Sequence, residues 1–315
     1  MSQNMDNITN RQGISYYENG NKYYEGEWKD GKENGQGILY FKNGNIKYDG
    51  NWENGKPRGY GTMYNDNGTK IYEGELKDDK ANGQGISYFQ NGNKMYEGKW
   101  KDDIPNGYGT KYYSCGNKMY EGNFKDDKIN GYCIYYFQNG TKIYEGEFKD
   151  DKANGQGISY FENGNIKYEG EFKDGSYNGK GIMYNENEIK IYEGEFKDGK
   201  YNGQGITYFE NGNKMYEGQW KDNKYNWKGI RYYKSGAYVK GSFKEGNLIE
   251  GAIFYKNGDS YDGSFRNNLF HGSGIYKLAN GRSYEGEYEN GHRVNCHERT
   301  SRRGIVTKKN FQELD

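Results

Sequence analysis

Tyr144 to Lys167 reads YEGEFKDDKANGQGISYFENGNIK, and the chain restarts the same phrase at Tyr168. Copies also open at Tyr24, Tyr48, Tyr72, Tyr96, Tyr120, Tyr192 and Tyr216, so a step of 24 residues holds for nine openings. A fixed period of this length marks a repeat architecture, in which each unit rests on its neighbours. Function must then come from the surface that the repetition builds.

Read with a period of two, Tyr144, Gly146 and Phe148 share one face of a strand, and Glu145 and Glu147 share the other. Lys149 to Asn154 reads as a polar turn and Gly155 to Phe161 as a second strand. Asn163-Gly164 is a strong hairpin signal, read as a type I′ turn with positive φ at both positions. The expected fold is all-β: an elongated, single-layer, twisted antiparallel β-meander with two strands per repeat. In that register Ser159 faces Tyr168, Gly157 faces Gly170, and Gly155 faces both Phe172 and Phe148.

Three rows then run along the array. Glycine weakens a strand, but a neighbouring ring can cover the bare backbone. The expectation is a concave, aromatic-walled gutter. Its walls are Tyr72, Tyr96, Trp100, Tyr120 and Phe124, continued by Tyr144, Phe148, Tyr168 and Phe172, and then by Tyr192, Phe196, Tyr216 and Trp220. Its floor is Gly146, Gly157, Gly170, Gly181, Gly194 and Gly205. The opposite face, with Glu145, Glu147, Glu169 and Glu171, reads as a solvated surface.

The chain has 315 residues, of which 32% are hydrophobic and 50 are glycine, at a mean hydropathy of −1.31. Such values usually accompany disorder. Yet 36 Tyr, 14 Phe and 5 Trp stand at fixed spacing, so aromatic stacking replaces a two-layer core. Net charge is zero, from 45 basic and 45 acidic side chains, which gives no electrostatic case for nucleic acid. No run approaches a membrane span, and MSQNMDNITN lacks a signal-peptide core, so a cytoplasmic protein is expected. Three cysteines without paired metal spacing, Cys115, Cys133 and Cys296, suit a reducing compartment.

Residues 1–12 read as a flexible N-terminal segment, and 13–291 as the array. Gly13 to Tyr17 is the second strand of a copy whose first strand is missing. Leu76 replaces an aromatic, Cys133 a floor glycine, and Asn187-Glu188 an Asn-Gly turn, none of which should break the sheet. Beyond about 225 the floor glycines Gly218, Gly241, Gly263 and Gly286 come at shorter steps of 22–23 residues. Trp227 stands where other copies have the first glycine of strand two, and Ile249 does so one copy later. Trp227 reads either as packing or as a stop at the end of the gutter. Residues 292–315 form a basic tail, read as a cap for an open edge or as a docking tag through Arg299, Arg302, Arg303, Lys308 and Lys309.

Catalytic chemistry has little to stand on. Only His271, His292 and His297 could act as general bases near neutral pH. His292, Cys296 and His297 are too few for a closed zinc site, and no phosphate-cradling loop or nucleophile elbow appears. The reading is a non-enzyme with no metal and no cofactor.

The phrase YEGEW or YEGEF, the polar turn and the NGxG run resemble the MORN (membrane occupation and recognition nexus) repeat family. Tyr24, Gly26, Trp28, Gly31, Gly35 and Gly37 match its motif position for position, as do Tyr261, Gly263, Phe265, Gly272 and Gly274. Asp79, Asp103, Asp127 and Asp151 stand where the family has a turn glycine, and the 24-residue step resembles variant MORN repeats. The resemblance covers about 13–291. It implies a scaffold, in settings such as radial spokes, basal complexes and membrane junctions, and it carries no activity to this chain.

Two functions compete. In the first, the gutter holds a helical or extended segment of a partner protein in a ciliary or cytoskeletal assembly, the array spanning on the order of 110 Å. In the second, the repeats or the tail recruit the protein to phosphoinositide or other anionic phospholipid. A neutral array favours the first. Pairing of two copies into a homodimer through free edges or gutters is a third reading.

Overall fold

A computed structural model describes residues 11–299. Its twenty-five strands run from Arg11–Tyr16 to His292–Arg299, with no helix among the described residues. The chain divides into two compact units at Gly164/Asn165. Each unit is an antiparallel meander in which strands of two kinds alternate. The first kind carries Tyr-x-Gly-x-aromatic, as in Lys142–Lys149; the second carries the Gly-x-Gly run, as in Lys152–Tyr160. All-β meander architecture is thus as the period and parity require.

The turn between the two kinds is tighter than the sequence reading. Asp150 and Asp151, at φ 48° and 67°, form a two-residue turn, which pairs Lys149 with Lys152 and Phe148 with Ala153. Phe148 therefore faces Ala153, not Gly155. Gly146 still faces Gly157 and Tyr144 faces Ser159, so three residues, Asn154 to Gln156, oppose Glu147 alone in a bulge with two extra residues.

Left-handed backbone is costly for aspartate, yet Asp-Asp recurs at these turns. Its second member earns its place through the neighbouring copy. Asp103 accepts a hydrogen bond from the Ala81 amide at 2.7 Å, and Asp151 from the Ile129 amide at 2.8 Å. The same residues donate their own amides back to the Ala81 and Ile129 carbonyls. A glycine in that place, as at Gly199, makes only the backbone bond.

At the other edge the Asn-Gly hairpins are type I, not type I′. Gly164 alone is left-handed, at φ 91°, and its amide meets the Phe161 carbonyl at 2.9 Å. The flanking asparagines run a ladder between copies: Asn91 and Asn93 both donate to the Ser114 carbonyl at 2.8 Å.

The short steps after Gly218 have a structural account. Regular hairpins of this kind carry a bulge, as where Ser15 faces Tyr24 and Tyr16 faces Lys22. The pairing of Lys224–Tyr232 with Tyr238–Lys244 has none, and one residue is saved. Asn247–Phe254 pairs without it as well, and its turn-side bulge holds one extra residue, Ile249, instead of two. Strand pairing also continues past Gly291: His292–Arg299, read in sequence as the start of the tail, lies antiparallel to Ser283–Glu289.

Candidate partner-binding surface

The rings do not wall an open lane; they lie down over it. The Tyr144 hydroxyl end stands where a β-carbon of Gly157 would be, and it donates to the Glu147 carbonyl at 3.1 Å, within the bulge. Tyr24, Tyr48, Tyr72, Tyr96, Tyr168, Tyr192, Tyr216 and Tyr261 make the same bond to the residue three ahead. Each tyrosine covers the floor and satisfies a carbonyl in one move.

Between tyrosines stand the Trp and Phe rings, edge-on. Trp52 lies 5.1 Å from the Tyr24 ring and 5.3 Å from the Tyr48 ring, and its indole donates to the Gly37 carbonyl at 3.0 Å. Phe196 sits between Tyr168 and Tyr192 at 5.1 and 5.0 Å. This alternation is the core: Tyr168, Tyr192 and Tyr216 are fully buried, and Tyr72, Tyr96, Tyr144, Phe124, Phe148, Phe172, Phe196 and Trp220 nearly so. Trp100 and Tyr120 remain half-buried. The floor glycines Gly146, Gly157, Gly170, Gly181, Gly194 and Gly205 lie under tyrosine hydroxyls. The bare glycine lane expected from the sequence is thus a roofed layer.

Burial pushes these phenols upward, to about 12 at Tyr24, Tyr96 and Tyr261. One copy departs. Cys133 fills the floor position opposite Gly122, and the Tyr120 ring instead stacks on Tyr135 at 4.3 Å. Burial lifts the Cys133 thiol to about 11, which keeps it unreactive.

A second deck of rings was missed by the sequence reading. Tyr177, Tyr201, Tyr225 and Phe270 stack face-on over Tyr168, Tyr192, Tyr216 and Tyr261, with centroids 4.0, 3.7, 3.9 and 3.8 Å apart. All four are half-buried. The first unit has Glu33, Pro57, Ala81, Pro105, Ile129 and Ala153 in that position. The signal is present in the YNG and FHG runs, but the sequence reads there as a long turn, in which strand parity does not apply.

The glutamate face is bonded, not merely solvated. Glu73 accepts from Lys70 at 2.6 Å, from Tyr60 at 2.8 Å and from Tyr88 at 3.2 Å. Equivalent Lys–Glu–Tyr sets stand at Glu97, Glu121, Glu193 and Glu217, and at Glu145 with Lys142 and Tyr160. The lysine hydrogen bond holds Glu73 and its equivalents below the usual carboxylate range.

Trp227 is not packed into the sheet. Its backbone is left-handed at φ 58°, its ring is 70% exposed, and it borders a cleft of about 520 Å³ with Lys200, Asn202, Gln219 and Asp222. Arg299 is paired with Glu285 at 2.9 Å, while Arg302, Arg303, Lys308 and Lys309 lie outside the described residues. No group of three or more His, Cys, Asp or Glu among the described residues is placed to hold a metal ion. Nor is any helix among them long and apolar enough to cross a membrane.

The family model for the MORN repeat matches residues 24–46, 48–70, 72–94, 96–118, 120–142, 144–166, 168–187, 192–214, 216–238 and 261–281. No curated protein matches the chain. Among solved structures, the chain is similar at 14% identity to selenomethionine-substituted virginiamycin B lyase from Staphylococcus aureus. That alignment spans 98% of this chain and 87% of the other, with a TM-score of 0.15. So low a score carries no argument.

Proposed function

The chain belongs to the MORN repeat family, and from that premise we propose that it is a non-catalytic scaffold whose ring face holds a partner polypeptide. MORN repeats are protein- and membrane-binding modules of a non-enzymatic family. The observation that carries the protein-binding reading is the second deck. Tyr201 lies flat on Tyr192, with 4° between the ring planes, and Tyr177 and Tyr225 repeat the arrangement one copy to either side. Rings held rigid by a buried partner lose little entropy on binding, and half-exposed tyrosines make good anchors.

Successive deck rings are two strands apart, roughly 9–10 Å. An extended segment advances about 3.1–3.4 Å per residue, so every third side chain would meet a ring. The buried Tyr and Phe rows then support the site from beneath. A ciliary or cytoskeletal assembly is the setting we propose.

Anionic lipid is the competing partner. The lysines of the Lys–Glu–Tyr sets are paired with carboxylates, and the chain's 45 basic side chains are balanced by 45 acidic ones, so it has no net positive charge to draw it to an anionic surface.

The test is a photo-crosslinking side chain at Tyr201, with the exposed Gln204 as control. Crosslinks to one polypeptide from position 201 and not 204 support the reading, as does a roughly tenfold loss of that partner's affinity in Tyr201→Ser. Sedimentation with phosphoinositide vesicles but no polypeptide crosslink would replace it with the lipid reading.

A further inference from the structure

The outermost described strand of the first unit, Arg11–Tyr16, is of the second kind, and among the described residues no strand lies against its outer edge. Its sequence from Gln12 to Tyr16, QGISY, is identical to Gln84–Tyr88 and Gln156–Tyr160. Both of those copies show what lies on the side that Arg11–Tyr16 leaves open. Tyr72 faces Ser87 and Gly74 faces Gly85; Tyr144 faces Ser159 and Gly146 faces Gly157. The chain itself thus displays the mould for the missing neighbour.

Trp28 registers the gap. Trp52 and Trp100 each stand between two tyrosines, their own and that of the preceding copy, and donate their indole N–H to the carbonyls of Gly37 and Gly85. Trp28 packs edge-on against Tyr24, its own tyrosine, and no tyrosine of a preceding copy stands on its other side among the described residues. Its buried Nε1 has no acceptor among the described residues. The ring instead covers Gly13, where an added β-carbon would stand 2.9 Å from it; Gly37 and Gly85 lie under tyrosines. Ile14 and Tyr16 are exposed, and the strand carries one charge, Arg11. An open edge of this kind invites another strand.

We infer that Arg11–Tyr16 is a docking edge for a strand bearing Tyr-x-Gly-x-(Phe or Trp), donated by a partner polypeptide and added antiparallel. Its tyrosine faces Ser15 and takes the vacant side of Trp28, as Tyr24 does beside Trp52, and its glycine faces Gly13. Backbone hydrogen bonds supply the affinity and the tyrosine over Gly13 supplies the specificity. A second copy of this chain does not fit. The other end strand, His292–Arg299, is also of the second kind, carries Cys296 at the floor position, and is crowded with charge, including the Arg282–Glu298 and Arg299–Glu285 pairs. Two copies joined through these strands would set no Tyr-x-Gly-x-(Phe or Trp) strand against either edge. The site is an edge, not the ring face, so it stands or falls independently of the crosslink at Tyr201.

The probe is the peptide KIYEGEFK, the sequence of Lys142–Lys149, titrated into the full-length chain while amide exchange is followed. Saturable binding should slow exchange at residues 11–16, and replacing the peptide's tyrosine by serine should weaken it by roughly tenfold or more. Trp28→Ala in the chain should remove the preference for tyrosine and leave the remaining repeats protected. Three outcomes would overturn the inference: equal binding of a scrambled peptide, protection confined to other strands, or binding seen only after residues 1–10 are deleted. The last would make the chain's own N-terminal segment the occupant. Self-association that protects residues 11–16 without peptide would make it a second copy.

Discussion

Gly157 has no β-carbon, and the hydroxyl end of Tyr144 stands where one would be. A methyl group there must lift the ring, which breaks the 3.1 Å bond to Glu147 and opens the edge-on contact with Phe148. Overpacking of this kind costs about 1–3 kcal/mol, and the lost hydrogen bond about 1 more. Gly157→Ala should therefore lower stability by about 2–4 kcal/mol in urea unfolding; a change within ~0.5 kcal/mol would show that the ring is not held. Cys133 is the natural version of this substitution, and there Tyr120 has left the floor for Tyr135. Trp227 poses the opposite case. A bulky side chain at φ 58° costs about 1–2 kcal/mol, and a ring 70% exposed recovers little by burial. Trp227→Gly should raise stability by about that amount, because Gly203 holds the same place one copy earlier at φ 61°. A loss of stability on that change would mean that the indole packs on something.

At the scale of the element, each strand of the first kind meets pH on both faces, and the two faces weigh differently. The glutamates of the Lys–Glu–Tyr sets, such as Glu73 and Glu193, sit below the usual range, so their contribution is present above about pH 4.3 and fades as pH falls through the lowered value. They are largely solvent-facing and worth little each. The buried tyrosines, such as Tyr24 and Tyr96, are raised from about 10 to about 12, so their contribution is complete below pH 10 and is lost as pH climbs toward 12. Alkaline unfolding should thus be the steeper of the two. Tyrosinate absorbance and the circular-dichroism signal should change together above pH 10, and ionisation of the buried phenols at ordinary values with the strands intact would contradict this.

Much of the element was legible in the sequence. The period, the Tyr-Gly-Phe parity and the pairing of Gly146 with Gly157 need only local chemistry. The Asp150-Asp151 turn did not show, because its left-handed backbone is supported by an amide 22 residues away, at Ile129. Reading that turn as six residues hid the bulge and with it the Tyr201 deck. Ring orientation was also hidden: whether Tyr144 walls a lane or roofs it depends on a carbonyl freed by that same bulge.

At the scale of the molecule, the bonds that join copies among the described residues reach one copy and no further. Tyr24 touches Trp28 and Trp52; Asn91 and Asn93 reach Ser114; Asp103 reaches Ala81. A chain held only by nearest neighbours has stability that sums along its length, and it opens locally before it unfolds. Damage should therefore stay where it is made. Gly205→Ala lifts Tyr192 from its floor and, through the stacked Tyr201 and the edge-on Trp220, loosens one copy on either side. Amide exchange should accelerate from about Ile166 to Lys244, while the strands between Lys22 and Lys101 keep their wild-type protection. The converse variant, Gly61→Ala under Tyr48, should reverse the pattern. Uniform acceleration along both units from either substitution would show that the array unfolds as one body, and the additive account would then fail. Partner binding on the ring face belongs to the same scheme. A segment that spans the Tyr177, Tyr201 and Tyr225 rings ties three copies together, so it should slow exchange across all three by a similar factor.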